Sequence, residues 1–159
     1  MKIIIAIIAV LLLGVTWLFV SHNGILSSEN ENRYQESAGG ANEEMIEVYD
    51  GIAVAKSTRY LILSGRGLTG SLKAEVAQLT ELETLDMSNN SLTGIPAEVG
   101  QLSKLKVLNL SNNMFTGLPA ELGNLQNLQT LNLTGNNYTE ADLETIRTQL
   151  PADVNIITD

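Results

Sequence analysis

The chain has 159 residues, enough for one modest domain with additional segments, because a domain typically takes about 100 to 200 residues. Its formal net charge is −9, with nine basic and eighteen acidic residues, and such a chain repels phosphate backbones, so nucleic acid is not an expected partner. There is no cysteine, which excludes disulfides, thiolate metal sites and a thiol nucleophile.

The N-terminal run from Ile3 to Val20 contains no charged residue, and Thr16 is its one polar side chain. As a helix rising about 1.5 Å per residue, this run would extend roughly 27 Å, close to the thickness of about 30 Å of a bilayer's hydrocarbon core. We therefore predict an uncleaved signal anchor, a transmembrane helix over residues 1–20. The alternative is a cleaved secretory signal, which typically has a shorter apolar run followed by a small-x-small cleavage site. No Ala-x-Ala pattern follows the apolar run in this sequence.

The charges around this run predict its orientation. Lys2 precedes it, and no basic residue follows it until Arg33, so the positive-inside rule places the N-terminus in the cytoplasm and the rest of the chain outside. Residues 21–44 are polar, acidic and without an apolar period, a composition typical of a disordered tether. The chain is then a single-pass membrane protein whose extracytoplasmic domain is residues 45–159. If the signal is cleaved, this domain is secreted instead.

The first part of that domain, residues 45–57, is expected to cover the end of the fold. It holds two apolar runs separated by Asp50-Gly51, a turn pair typical of a hairpin. A short helix beginning at Glu43 fits the same residues, and the sequence leaves both forms open.

An internal repeat follows from residue 58. LETLDMSNNSLTGIPAEVGQLSK begins at Leu82, LKVLNLSNNMFTGLPAELGNLQN at Leu105 and LQTLNLTGNNYT at Leu128, so the period is 23 residues and each unit matches LxxLxLxxNxL. An earlier unit of 24 residues has Arg66 where the later units have asparagine. The repeats are therefore placed at residues 58–81, 82–104, 105–127 and 128–138.

Within each unit, apolar residues alternate with polar ones, the period-2 pattern of a short strand with one buried side. Coils that stack would align these strands into a parallel sheet, and the second half of each unit, from Pro96 or Pro119, is expected to return as one helical turn with proline at its first position. The residues predicted to be buried on the strands are Leu85 and Met87, Leu108 and Leu110, and Leu131 and Leu133.

The recurring asparagines predict a structural asparagine ladder. Asn90, Asn113 and Asn136 come where the chain turns away from the sheet. Their side-chain amides can satisfy backbone groups of the adjacent coil that would otherwise be buried without a partner.

These units resemble the leucine-rich-repeat family in its typical 23-residue class, known from bacterial surface proteins. The LTG signature is similar to that of plant receptors, whose units have 24 residues; in the first unit here Lys73 replaces the proline of that class, and the other complete units lack the extra residue. The resemblance covers about half of the chain. It implies an α/β solenoid, a right-handed coil with a short parallel sheet on its concave face.

After Tyr138 the period breaks, and residues 139–159 are predicted to form a C-terminal cap, because a solenoid must cover its terminal leucines. Thr139 and Asp142 form an N-cap signature for a helix that ends near Pro151. The apolar stripe of that helix is Leu143, Ile146 and Leu150, and the residues predicted to form a last strand are Val154, Ile156 and Ile157.

In this family, ligands commonly dock on the concave sheet, so the resemblance implies that the variable strand positions contact a partner. Aromatic anchors such as Tyr60 contribute disproportionately to interface energy, although the polar positions of a small solenoid can also be simply solvated. The predicted partner-binding residues are Arg59, Tyr60, Ile62, Thr84, Asp86, Ser88, Lys106, Val107, Asn109, Thr130 and Asn132. The other variable positions are Ser64, Glu83, Ser111, Gln129 and Thr134.

The sequence thus predicts a membrane-anchored leucine-rich-repeat module that faces outside the cytoplasm and binds a protein or an envelope polymer. The alternative is a structural envelope protein that assembles laterally. An enzyme is not expected, because cysteine is absent, the sole histidine, His22, lies in the predicted tether, and there is no Gly-rich phosphate loop. We expect no cofactor and no metal.

Overall fold

The computed structural model describes residues 43–159 of the chain. The predicted transmembrane helix at residues 1–20, and nearly all of the predicted tether at residues 21–44, lie outside the described residues. Among the helices within residues 43–159, none has the length and apolar character needed to cross a bilayer.

The described residues form a solenoid whose concave face is a five-stranded parallel sheet in the order β3-β5-β7-β8-β9. Each coil contributes a strand of three residues. In chain order the strands of the domain are β1 (Met45–Tyr49), β2 (Ile52–Ala55), β3 (Tyr60–Ile62), β4 (Thr69–Gly70), β5 (Thr84–Asp86), β6 (Ser91–Leu92), β7 (Val107–Asn109), β8 (Thr130–Asn132) and β9 (Asn155–Ile157).

On the convex side each complete coil returns through a short 3-10 helix, at Ala74–Gln78, Ala97–Gln101 and Ala120–Asn124. Pro96 and Pro119 do not occupy the first helical position that the sequence predicted. Each is the extended residue just before the helix, with ψ of 144° and 135°, and Lys73 has the same conformation in the first coil. Proline fits there because its fixed φ suits an extended residue and its missing N–H is not needed before the helix begins.

The core is a column of leucines enclosed between the sheet and the 3-10 helices. All six residues that the alternating pattern predicted to be buried are fully enclosed, from Leu85 and Met87 to Leu131 and Leu133. The 3-10 helices add Val99 and Leu122, and Phe115 fills the position that Leu92 holds one coil earlier. Burial of these side chains is the main favourable term for a chain without disulfides.

The N-terminal end of the core is covered by a hairpin, one of the two forms that the sequence left open. β1 and β2 pair antiparallel around Gly51, which has a φ of +75° that glycine adopts without steric cost. Ile46 and Val48 point into the core. The Tyr49 hydroxyl donates to the carbonyl of Thr69 at 2.6 Å and accepts from its N–H at 2.9 Å, which fastens the hairpin to the first coil.

The C-terminal end is covered by helix α1 (Glu140–Arg147) followed by β9. The hydroxyl of Thr139 accepts from the N–H of Asp142 at 3.2 Å, which is the capping bond that the sequence signature predicted. The helix ends at Arg147, earlier than Pro151. The N–H groups of Gln149 and Leu150 both donate to the carbonyl of Ile146, and this turn places Leu150 against the core.

Candidate binding surface on the concave sheet

The register of the parallel sheet brings equivalent residues of successive coils into rows. The middle residues of the strands point into the core, so the flanking residues face the concave side. The first flanking set, here the Tyr60 row, consists of Tyr60, Thr84, Val107, Thr130 and Asn155. The second, the Ile62 row, consists of Ile62, Asp86, Asn109, Asn132 and Ile157.

The Tyr60 row carries the largest exposed aromatic side chain on the sheet. Tyr60 is 58% exposed, whereas Thr84, Val107 and Thr130 are half-buried between their neighbours. Met114 has almost the same exposure, 57%, but it follows Asn113 in the turn that leaves the sheet. Tyr60 and Met114 therefore form a matched pair of exposed large side chains on different surfaces.

The polar members of the Ile62 row hold the turns at the ends of their strands. Asp86 Oδ1 accepts from the N–H of Ser88 at 2.9 Å, and Asn132 Oδ1 accepts from the N–H of Thr134 at 3.1 Å. Asn109 Oδ1 accepts from both the N–H and the hydroxyl of Ser111. The sequence predicted that Asp86, Asn109 and Asn132 contact a partner. In the structure, one side-chain oxygen of each accepts a hydrogen bond within its own coil.

The prediction of Ser88 as a partner-binding residue is wrong, because its side chain is buried. Ser88 and Ser111 are 4% and 7% exposed. They lie where the chain leaves the strand. The backbone carbonyl of Ser88 accepts from the N–H of Gly65 in the preceding coil, and its hydroxyl accepts from the side-chain amide of the neighbouring Asn89. A strict alternation along the strand predicted exposure at this position, but the strand has ended two residues earlier.

A chain of ion pairs crosses the first three coils beside the Tyr60 row. Glu83 binds Arg59 through Oε1 and Lys106 through Oε2, with the Lys106 Nζ at 2.7 Å. The hydrogen bonds from Lys106 and then from Arg59 lower the pKa of Glu83 to about 2, and the bond to Glu83 raises the pKa of Arg59. Opposite charges at the same repeat position in consecutive units, Arg, Glu and Lys, were the sequence signal for this cluster.

The asparagine ladder joins each coil to the one before it. The Asn113 amide donates to the carbonyls of Met87 and Leu110 at 2.9 and 3.0 Å, and its oxygen accepts from the N–H of Leu92 at 3.1 Å. Asn90 makes the equivalent bonds to Leu63 and Leu68, and Asn136 makes those to Leu110 and Phe115. These side chains satisfy backbone groups of the coil junctions and are not available to a partner.

The surface that remains for contact is therefore smaller than the predicted one. The sheet offers apolar and hydroxyl groups to a partner from Tyr60, Ile62, Thr84, Val107 and Thr130. Along the border of the sheet, one carboxylate binds two cations. Within residues 43–159, no group of three or more histidine, cysteine or acidic side chains is placed to hold a metal ion. The arrangement is a repeat solenoid with an open concave face.

Comparison with known families agrees with this architecture. The family model of the leucine-rich repeat region matches residues 52–150, more than half of the chain. The protein belongs to the leucine-rich-repeat family, whose members are typically binding modules without enzymatic activity. A search of curated proteins found no match.

Three solved structures illustrate what this chain is similar to. A leucine-rich-repeat protein of Leptospira interrogans is 43% identical over 62% of this chain, with a TM-score of 0.57. PEPR1-AtPEP1 is 37% identical over 53% of this chain, with a TM-score of 0.50. The Arabidopsis receptor kinase HAESA, in complex with the peptide hormone IDA and the co-receptor SERK1, is 33% identical over 52%, with a TM-score of 0.49. The matched part spans 24%, 12% and 14% of these chains, a quarter or less of their length.

Proposed function

We propose that residues 45–159 form a protein-binding module whose concave sheet is the contact surface. The observation that carries the proposal is the exposed ring of Tyr60 on that sheet, beside the half-buried Ile62 and Thr84. Tyrosine is enriched among the few residues that carry most of the binding energy at protein interfaces, and such residues are surrounded by smaller contacts that exclude water. The similar structure PEPR1-AtPEP1 contains PEPR1 together with AtPEP1, and this similarity supports a protein or peptide as the partner.

The size of the sheet sets the strength of such an interaction. Five strands of three residues offer little area, and interfaces below about 1,200 Å² are generally weak or transient. Attachment to a membrane would raise the effective concentration of the module near a partner on the same surface. The proposed function therefore depends on a tether as well as on the sheet.

The proposed tether is the N-terminal segment, with residues 3–20 in the membrane and the repeat domain outside the cytoplasm. The uncharged run and the position of Lys2 support this topology. Intact mass of protein extracted from membranes, combined with protease treatment of whole cells, tests it. We expect the full mass and digestion of the repeat domain from outside; a mass lacking the first segment would instead indicate a secreted protein.

Site-specific photo-crosslinking in the producing cell tests the contact surface. A photoreactive phenylalanine derivative at Tyr60 is expected to capture a partner protein, whereas the same derivative at Met114 is not. Equal capture from both positions, or capture from Met114 alone, would contradict the concave surface. An adduct between two copies of this chain would favour lateral self-assembly, and capture of envelope polymer would replace the protein partner.

Loss of the aromatic anchor should weaken binding of the captured partner. Replacing Tyr60 by alanine is expected to reduce affinity about tenfold or more, because truncated aromatic anchors often cost above 1.4 kcal/mol. Met114→Ala, at nearly the same exposure, is the matched control and should leave affinity within about twofold. The measurement is titration of the purified partner onto the full chain in detergent.

A further inference from the structure

The concave border of the sheet carries positive charge on a protein that is acidic as a whole. Of the basic residues within 43–159, two lie beside the Tyr60 row, Arg59 and Lys106, on the first and third coils. Both bind Glu83, which lies between them on the second coil. The cluster of one carboxylate and two cations has a net charge of +1, opposite in sign to the chain's −9.

The exposure of these three side chains is unequal. Glu83 is 14% exposed, while Arg59 is 54% and Lys106 is 46% exposed. The carboxylate is therefore covered by its partners, and solvent meets mainly the two cations. Their attachment to the two oxygens of one carboxylate limits their rotamers, so a ligand would lose less side-chain entropy on binding them.

An aromatic side chain lies beside one of the two cations. The guanidinium carbon of Arg59 is 5.9 Å from the centroid of the Tyr60 ring. Val107, the first residue of β7, is the next residue in the chain after Lys106. The negative charge of the sheet is on the other row, at Asp86, where one oxygen is held by the Ser88 N–H. The surface thus has a cationic and aromatic side along the Tyr60 row, whereas the Ile62 row combines isoleucine at its two ends with acidic and amide side chains between them.

We propose that the partner docks through an extended peptide segment in which a carboxylate side chain neighbours an aromatic one. The partner's carboxylate contacts Arg59 and Lys106, and its aromatic ring packs on Tyr60 and Val107. This inference rests on the proposed function and adds the chemical class of the partner's contact segment. Charge complementarity favours an acidic contact segment over a basic one, because a basic segment would be repelled by the two exposed cations at this border.

A pair of labelled synthetic peptides tests the proposal on the full chain in detergent. One contains repeated Asp-Phe pairs, and its twin contains Asn-Phe pairs of the same shape without charge. We expect the Asp-Phe peptide to bind about fivefold more tightly by fluorescence anisotropy at low salt, with a smaller preference at high salt. Equal binding of the two peptides, or no binding of either, overturns the proposal.

The matched variants are Lys106→Gln and Lys104→Gln. Lys104 lies two residues earlier, has similar exposure at 53%, and binds Glu81 instead of Glu83. The preference for Asp-Phe should fall by at least half in Lys106→Gln and persist in Lys104→Gln; loss in both, or in neither, overturns the proposal. Binding of the Asn-Phe twin to Lys106→Gln shows that the surface is intact.

Failure of this inference can be distinguished from failure of the proposed function. If the two peptides bind equally and both are lost in Tyr60→Ala, the concave surface binds peptides without selecting a carboxylate. Crosslinking from Tyr60 decides the proposed function independently of either peptide.

Discussion

The first coil, residues 58–81, and the third coil, residues 105–127, share the same leucine core but differ where a coil touches its neighbours. The third coil has Asn113 bonded to the preceding coil and Pro119 before its 3-10 helix. The first coil has Arg66 and Lys73 at those positions. The leucines are needed by every coil to build the core, whereas the asparagine of the ladder needs a preceding coil to contact, and the first coil is preceded by the hairpin instead.

The difference extends to the convex side. Gly100 in the second coil lies so close to the third that an added Cβ would collide with the backbone carbonyl of Glu121. The corresponding residue of the first coil is Ala77, whose methyl group the structure accommodates. Close stacking thus requires glycine in the interior of the solenoid and tolerates a side chain nearer its end.

The largest expected effect follows from that contact. Gly100→Ala should lower the free energy of unfolding by about 3 kcal/mol or more, because backbone of the next coil must move to admit the methyl group. Urea unfolding followed by circular dichroism measures this. Gly94→Ala is the control, since its added Cβ would meet the nearest atom at 3.8 Å; an equal loss in both variants would show that stacking distance is not the cause.

The asparagine ladder gives the next largest effect. Asn113→Ala removes the acceptor of the Leu92 N–H and the donor to two carbonyls, and should cost about 2 kcal/mol. Arg66→Ala changes the same repeat position in the first coil, where the side chain is exposed, and should stay within about 0.5 kcal/mol. If the two variants lose equal stability in urea, the distinction between end and interior coils fails.

A smaller, pH-dependent effect is expected at Glu83, which joins the first coil to the third. Its pKa is lowered in the folded state to about 2, so its ion pairs stabilise the fold above the ordinary carboxyl range and lose that contribution as pH falls from about 4.5 towards about 2. Glu83→Gln should have a lower urea midpoint than the unmodified chain at pH 7, and the gap should close near pH 2.

The control for this prediction is Glu81→Gln. Glu81 binds Lys104 in an exposed pair, and such pairs contribute little to stability. Its midpoint should therefore differ little from that of the unmodified chain at either pH. A gap for Glu83→Gln that widens as pH falls would contradict the assignment of the lowered pKa to the folded state.

The sequence predicted the candidate binding surface well within the strands and poorly in the turns that follow them. Tyr60 and Thr84 lie on the concave face because alternation within a strand is a local property. Asp86 also lies on that face, but one of its side-chain oxygens accepts a hydrogen bond from the N–H of Ser88, and Ser88 itself is buried. Sequence alternation continues past the end of the strand, and only the folded chain shows where the strand stops.

The sequence by itself determined the period of the coils, the leucines of the core and the positions of the asparagine ladder, because these follow from spacing within one unit. It also determined that the leucine-rich-repeat family was the right comparison. Tertiary structure decided the hairpin at the N-terminal end, the grouping of Arg59 and Lys106 around Glu83, and the burial of Ser88. The hairpin depends on its contacts with the first coil, and the other two depend on how closely and in what register successive coils stack, which no single repeat unit encodes.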